Sequence, residues 1–224
     1  MTKNKHQEYF TKDGARAPGV TTVLGIIAKP ALAPAANKLG LQGINSNIRW
    51  REQADIGSIA HYLILCHLKK VKPDTSEYSK TLIDKAENSF LSYLEWAKGH
   101  KIEPVLLETP LVSEVFKYGG TPDNVCHLDE KTTLTLLDLK TGGIYKEHYW
   151  QLSGYAQLLL ENNYPVDDGL ILGIPRTVDE SFIEAPLDKD RLKLGLDPFL
   201  CALDLYNAIK NYEIEIKQST LEIA

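Results

Sequence analysis

Residues 119–142 read GGTPDNVCHLDEKTTLTLLDLKTG, and this stretch decides the fold. Val125 to Leu128 and Thr132 to Leu139 are rich in β-branched and apolar residues, and Asp129-Glu130-Lys131 between them supplies a turn. The stretch therefore predicts two strands joined as a hairpin. Side chains alternate along a strand, so Asp138 and Lys140 share a face. Pairing the strands can fold Asp123, fifteen residues before Asp138, back beside them. Two carboxylates and an ammonium would then converge. Such hard oxygen ligands suit Mg²⁺ or Mn²⁺, and the lysine could orient an attacking water, a set able to cut a phosphodiester. A plainer reading also stands, since Pro-Asp is ordinary turn chemistry and Asp-x-Lys at a strand end is often a solvated charge pair.

Working outward, residues 19–28 are apolar and β-branched, and Pro30 and Pro34 lead into a helical stretch ending near Arg51. Ser58 to Leu68 reads as an apolar helix, and Pro73-Asp74-Thr75-Ser76 as a break with an N-cap. Leu82, Ala86, Phe90, Tyr93, Leu94 and Ala97 recur at helical spacing within Glu77–Lys98, and Gly99 stops that helix. Strand-like runs follow near 104–116, 121–128 and 132–140, then a helix from Glu147 to Asn162. Short strands near Gly169–Ile174 and Ser181–Glu184 precede a last helix from Asp188, kinked or interrupted at Pro198. Helices, a strand meander, a crossover helix and further strands predict an α/β core with a central mixed sheet flanked by helices. The chain divides into a mostly helical part at 18–100, a sheet core at 101–187 and a C-terminal helix at 188–224, all within one domain.

The residues resemble the PD-(D/E)xK nuclease superfamily, and within it the RecB-like exonuclease branch of phage and mitochondrial-maintenance type. Six pieces match in order. They are Pro18-Gly19-Val20-Thr21-Thr22-Val23-Leu24, Gly57-Ser58-Ile59-Ala60-His61, Glu108 before the Gly120-Thr121-Pro122-Asp123 turn, that turn itself, Asp138-Leu139-Lys140-Thr141-Gly142, and Gln151 with Tyr155. The match runs from about residue 18 to 160. The resemblance implies a restriction-endonuclease-like core under an N-terminal helical wall, and metal-dependent DNA exonuclease activity. Asp123, Asp138 and the Leu139 carbonyl would hold Mg²⁺, with Mn²⁺ as substitute, and His61 would help hold it or a second ion. Lys140 would position the attacking water. Glu108 would act from the outer shell, although Glu103 and Glu114 are nearby and Glu114 could take its place. Gln151 and Tyr155 lie four apart on one helix face and would steer phosphate or a catalytic group. An endonuclease of the same fold and a non-catalytic nucleic-acid-binding subunit are the alternatives.

Other features bound this reading. Cys66, Cys126 and Cys201 are scattered and odd in number, which argues against a disulfide framework. Cys66-His67 and Cys126-His127 lack zinc-ligand spacing, and His67 reads as structural. Relatives with an iron–sulfur cluster carry a Cys group after the catalytic core; this chain lacks it, so no cluster is expected. The net charge of −5 counts against a high-affinity sequence-specific DNA binder. A local basic edge could come from Lys29, Lys38, Arg49, Arg51, Lys140 and Lys146. Trp50, Trp96 and Trp150 read as packing residues, with Trp150 the one to test for base stacking. Gly119-Gly120 marks a bulge or a close backbone approach, by DNA among other candidates. No long apolar run suggests a membrane span, and MTKNKHQEYF lacks a secretory apolar stretch. The expected setting is the cytoplasm of a bacterium or phage-infected cell, with single-stranded or duplex DNA ends as partner. Phage recombination or replication proteins are further possible partners, and the oligomeric state stays open.

Overall fold

The computed structural model describes residues 7–177 and 179–222, with side chains placed to residue 219. Residues 1–6 of the MTKNKHQEYF stretch thus lie outside the described residues. The chain opens with a hairpin of β1 (Tyr9–Phe10) and β2 (Arg16–Ala17), then α1 (Val20–Leu24), α2 (Leu32–Leu41), α3 (Ser46–Leu68) and α4 (Lys80–Ala97). Next come β3 (Ile102–Leu107), the small pair β4 (Leu111–Val112) and β5 (Gly119–Gly120), and then β6 (Asn124–Leu128) and β7 (Leu134–Thr141). Helix α5 (Lys146–Glu161) crosses over to β8 (Val166–Ile174), followed by β9 (Ile183–Asp188), α6 (Lys189–Leu194) and α7 (Leu196–Glu222).

Five strands form the central sheet in the order β3-β6-β7-β8-β9. Only β7 and β8 run parallel; the other neighbours are antiparallel. The sheet is mixed, and helices flank it, as the element order predicts. The reason lies in β7. Its sequence LTLLDLKT is apolar on both faces, the pattern of a central strand covered twice. Leu136 enters one core with Leu152, Tyr155 and Leu158 of α5 and Phe199 of α7. Leu137 and Leu139 enter the other, with Ile64 of α3 and Tyr93 of α4.

Several boundaries differ from the sequence expectation. The helical stretch expected after Pro30 divides into α2 and the start of α3, and α3 then runs on without a break through Ser58–Leu68; Asn45 caps α3 by accepting the Asn47 N–H at 3.0 Å and the Ile48 N–H at 3.2 Å. Val20, Val23 and Leu24 of α1 pack with α5 and α7, on the opposite sheet face from α3 and α4. Helix α4 starts after Ser79, whose Oγ accepts the Leu82 N–H at 3.4 Å, so the cap falls three residues beyond the Pro73–Ser76 break. The run at 104–116 is split, because β3 ends at Leu107 and Pro110 follows. The C-terminal interruption is at Gly195 rather than Pro198, which sits in the first turn of α7 where no helical N–H is lost.

Candidate active site

The hairpin register builds the centre of the site. Asn124 pairs with Leu137 across β6 and β7, which sets Asp123 level with Asp138. Asp123 Oδ2 accepts the Leu139 N–H at 2.8 Å, locking its carboxylate against the strand. The turn before it is pinned from a distance: Tyr9 OH and Thr121 Oγ1 are 2.9 Å apart. Cβ atoms added to Gly119 and Gly120 would lie 2.2 Å from the Tyr9 ring and 2.6 Å from the Tyr155 ring. The paired glycines therefore admit two tyrosines, which is the close approach the sequence suggested, made by side chains of this chain. Asp138 is only 1% exposed and forms an ion pair with Lys140, whose Nζ also donates to the Leu139 carbonyl at 3.4 Å.

Helix α3 brings His61 from the opposite sheet face. Its Nδ1 lies 3.6 Å from Asp123 Oδ1. Gly57, one turn earlier, makes this possible: a Cβ there would stand 2.7 Å from Thr141 Oγ1 at the end of β7. Glycine in a helix interior costs about 1 kcal/mol relative to alanine, which the close packing of helix on strand offsets.

Glu108, inside the strand-like run expected near 104–116, instead follows the end of β3 at a left-handed φ of 43°. Its N–H donates to the Asp123 carbonyl at 3.1 Å. It lines a cavity of about 10 Å³ with His61, Asp123, Asn124 and Tyr93, roughly the space of one water. Glu114 faces elsewhere, accepting the Lys12 N–H at 2.9 Å and pairing with Lys117 at 3.3 Å, and Glu103 pairs with Lys101 at 3.1 Å. Of the three glutamates, Glu108 is the one beside Asp123. His67 packs edge-on against Phe90 at 5.9 Å, away from the site.

Charge at the centre is finely set. Burial pushes the Asp138 carboxyl up to about 6, against the pull of Lys140. Burial also opposes charge on Asp123, but His61, Lys140 and the Leu139 N–H together hold its pKa below the usual carboxylate range. For His61, burial disfavours the cation while the Asp123 carboxylate outweighs it and raises the pKa. Burial and the Asp123 charge raise Glu108.

Gln151 and Tyr155 lie behind this group rather than on an open edge. Both are buried, and Gln151 Nε2 donates to Tyr155 OH at 3.1 Å. Burial and the charges of Asp138 and Asp123 keep the phenol neutral, its pKa far above ordinary. The pair thus sits in the interior, close enough to Asp138 and Asp123 for their charges to act on the phenol.

In front of the centre a cleft of about 710 Å³ opens, with His61 and Lys140 in its wall. Of the proposed basic edge, Lys29, Lys140 and Lys146 line it, and Lys38, Arg49 and Arg51 do not. Arg49 pairs with Glu52 at 3.1 Å. Trp50 lines the cleft, although it reads as a packing residue, whereas Trp150 packs against the α5–α7 core. Arg176 and His148 also line it and carry no motif that singles them out in sequence. His148 Nδ1 accepts the Tyr145 N–H at 3.1 Å, and burial with the Lys140 charge lowers its pKa to about 4.

The chain matches no family model and no curated protein. Among solved structures it is similar to a protein from Eubacterium rectale provisionally named an exonuclease. That pair shares 10% identity over 70% of this chain and 68% of the other, with a TM-score of 0.48. LHK-Exo, solved in complex with dAMP, shares 12% identity over 73% of this chain and 85% of its own, at a TM-score of 0.42. SSO0001 shares 17% over 56% and 66%, at 0.28. Likeness at this level carries no information about the chemistry, so the site must speak through its own atoms.

Those atoms fit a hard divalent cation. Oδ1 of Asp138 is buried with no hydrogen-bond partner among the described residues, a costly state for an ionised oxygen. The Asp123 carboxylate and the Leu139 carbonyl supply further oxygen donors, and His61 a nitrogen. Lys140 Nζ contacts both the Asp138 carboxylate and the Leu139 carbonyl, so an ammonium stands where a cation would be held. Among the described residues no three His, Cys, Asp or Glu side chains are closed tightly enough to hold a metal ion as they stand. No helix among the described residues is long and apolar enough to cross a membrane.

Proposed function

We propose that this chain is a metal-dependent DNA nuclease that removes nucleotides from DNA ends, using Mg²⁺ or Mn²⁺. The observation that carries the reading is the meeting of Asp123, Asp138, Lys140 and His61 at one sheet end, with His61 and Lys140 in the wall of a cleft that Lys29, Lys146 and Arg176 also line. The resemblance of the motifs to RecB-like exonucleases supports the choice of DNA ends as substrate. The same resemblance supports a role in phage or bacterial recombination, replication or repair.

Asp123, Asp138 and the Leu139 carbonyl would hold the ion, with His61 completing the set. The bound ion would supply Lewis-acid stabilisation of the phosphoryl oxygens and a more acidic water. Each residue of the chain has its own task. Lys140, whose ammonium lies in the cleft wall, would orient the attacking water and offset charge on the phosphorane-like transition state. Asp123, fixed by the Leu139 N–H, cannot rotate away. Tyr155 and Gln151, buried and neutral, hold the floor under Asp138 and exclude water from it. Glu108 at the inner cavity completes a polar shell around Asp123.

The test is digestion of end-labelled linear single-stranded and duplex DNA beside a closed circle, with Mg²⁺ or Mn²⁺, for wild type and Lys140→Ala. Stepwise loss from linear DNA that spares the circle and vanishes in the variant is the expected result. A cut circle would replace the exonuclease with an endonuclease. Absence of cleavage with either ion, alongside tight DNA binding, would overturn the enzyme reading.

A further inference from the structure

We propose that Arg176 seats a backbone phosphate of the nucleic-acid strand in the cleft beside Lys140; the inference rests on the nuclease reading above. Strands β7 and β8 run in register, Lys140 beside Gly173 and Thr141 beside Ile174. The segment after β8 therefore leaves the sheet level with the turn after Lys140. Gly142 in that turn adopts a φ of +96° and donates its N–H to the Ile174 carbonyl at 3.0 Å. A Cβ on Gly142 would stand 2.8 Å from Arg176 Nη2, 3.0 Å from Cζ and 3.3 Å from Nε. The guanidinium thus lies along the bare glycine, a position that any other residue at 142 would obstruct.

Glu180 fixes the guanidinium there. Its Oε1 accepts from Nη2 at 3.1 Å, and its Oε2 accepts from Nε at 3.5 Å and from the Arg176 backbone N–H at 2.7 Å. That engages one edge of the fork. The Nη1 edge makes no hydrogen bond among the described residues, and Arg176 lines the cleft with Lys140, Lys146 and His148. A planar cation held on one side and free on the other is preorganised for a phosphate oxygen pair, with its ordering entropy already spent. The charge balance favours an anion as well. Lys29 is matched by Glu147 at 3.5 Å, whereas Lys146 has no acidic partner among the described residues and sits over the Trp150 ring at 5.7 Å.

The competing account makes Arg176 a structural latch to Glu180 and nothing more. Binding of fluorescein-labelled 12-nucleotide single strands and duplexes, titrated across salt concentrations in an Asp138→Asn background, separates the two. Arg176→Ala should weaken binding by about tenfold or more and flatten the salt dependence by about one counterion. In otherwise wild-type enzyme the loss should fall on KM more than on kcat. Arg176→Lys should recover part of the affinity. Gly142→Ala, which displaces the guanidinium and keeps its charge, should lose affinity in the same direction. Glu180→Gln should stay within about twofold of the parent, because the phosphate-facing edge survives. Unchanged affinity and salt slope in Arg176→Ala overturns the proposal, as does a Glu180→Gln variant that reproduces the whole loss. If wild type fails to cut DNA with either ion while the binding pattern holds, the nuclease reading fails and the phosphate seat stands. If it cuts and Arg176→Ala binds normally, the seat alone is refuted.

Discussion

Replacing Asp138 by asparagine should stabilise the metal-free protein while abolishing its chemistry. The carboxyl is 1% exposed, and burial moves its pKa from the ordinary 3.8 to about 6. A folded-state pKa above the unfolded value means the native protein holds that proton more tightly. Its contribution to stability is full below pH 3.8 and is lost as pH rises through about 6. At pH 7 the ionised group therefore costs about 3 kcal/mol, from roughly two units at 1.36 kcal/mol each. A buried amide in its place leaves a polar atom short of a partner, which takes back about 1 kcal/mol. The net gain, about 2 kcal/mol, should raise the Tm of metal-free protein by about 4–8 °C at pH 7 for a chain of this size. At pH 4 the gain should vanish, since wild type is then protonated. Thermal unfolding with a chelator at both pH values reads this directly. Adding Mn²⁺ at pH 7 should raise the Tm of wild type and leave Asp138→Asn unmoved. A variant destabilised equally at both pH values would refute the reasoning, and would make the Asp138–Lys140 pair a structural bond rather than a site held under electrostatic strain.

Gly57→Ala drives a Cβ into Thr141 Oγ1 and should cost about 1–3 kcal/mol, with a disproportionate loss of activity as His61 retreats; Thr141→Ala should rescue it in a double-mutant cycle, and simple additivity of the two would exclude the contact. Tyr9→Phe removes the hydroxyl beside Thr121 and should lower stability by about 1 kcal/mol, read by urea unfolding; no change would mean the Asp123 turn stands without it. The acid limb of kcat/KM should lie above the ordinary carboxylate range, because Asp138 gathers its proton near 6 and Asp123 raises His61. Higher Mn²⁺ should move that limb to lower pH as metal competes with protons, and a limb indifferent to metal concentration would contradict those ligands.

What the sequence makes legible is what a short segment determines by itself. The hairpin, the alternation that puts Asp138 with Lys140, and the register that levels Asp123 with Asp138 all follow from residues within one stretch. Helix α5 follows from its own periodicity in the same way. Features set by packing between distant segments are not legible. Nothing local says that α1 lies on the face opposite α3, that Tyr9 pins the Thr121 turn from over a hundred residues away, or that Gln151 and Tyr155 face inward. The split of the 104–116 run is not legible because LLETPLV has strand composition throughout, and only the turn at Glu108 and Pro110 divides it. The acidic net charge of −5 is the sharpest case. Summed over the chain, it argues against a polyanionic partner. In space, the cleft gathers Lys29, Lys140, Lys146 and Arg176 with Glu147 as the acid in its lining, while acids such as Glu52, Glu114 and Asp129 are paired elsewhere on the surface. Screening confines the influence of those distant acids to about 8–10 Å at physiological salt. A strand entering the cleft therefore meets the local field, not the total, and net charge is the wrong measure of what this protein can bind.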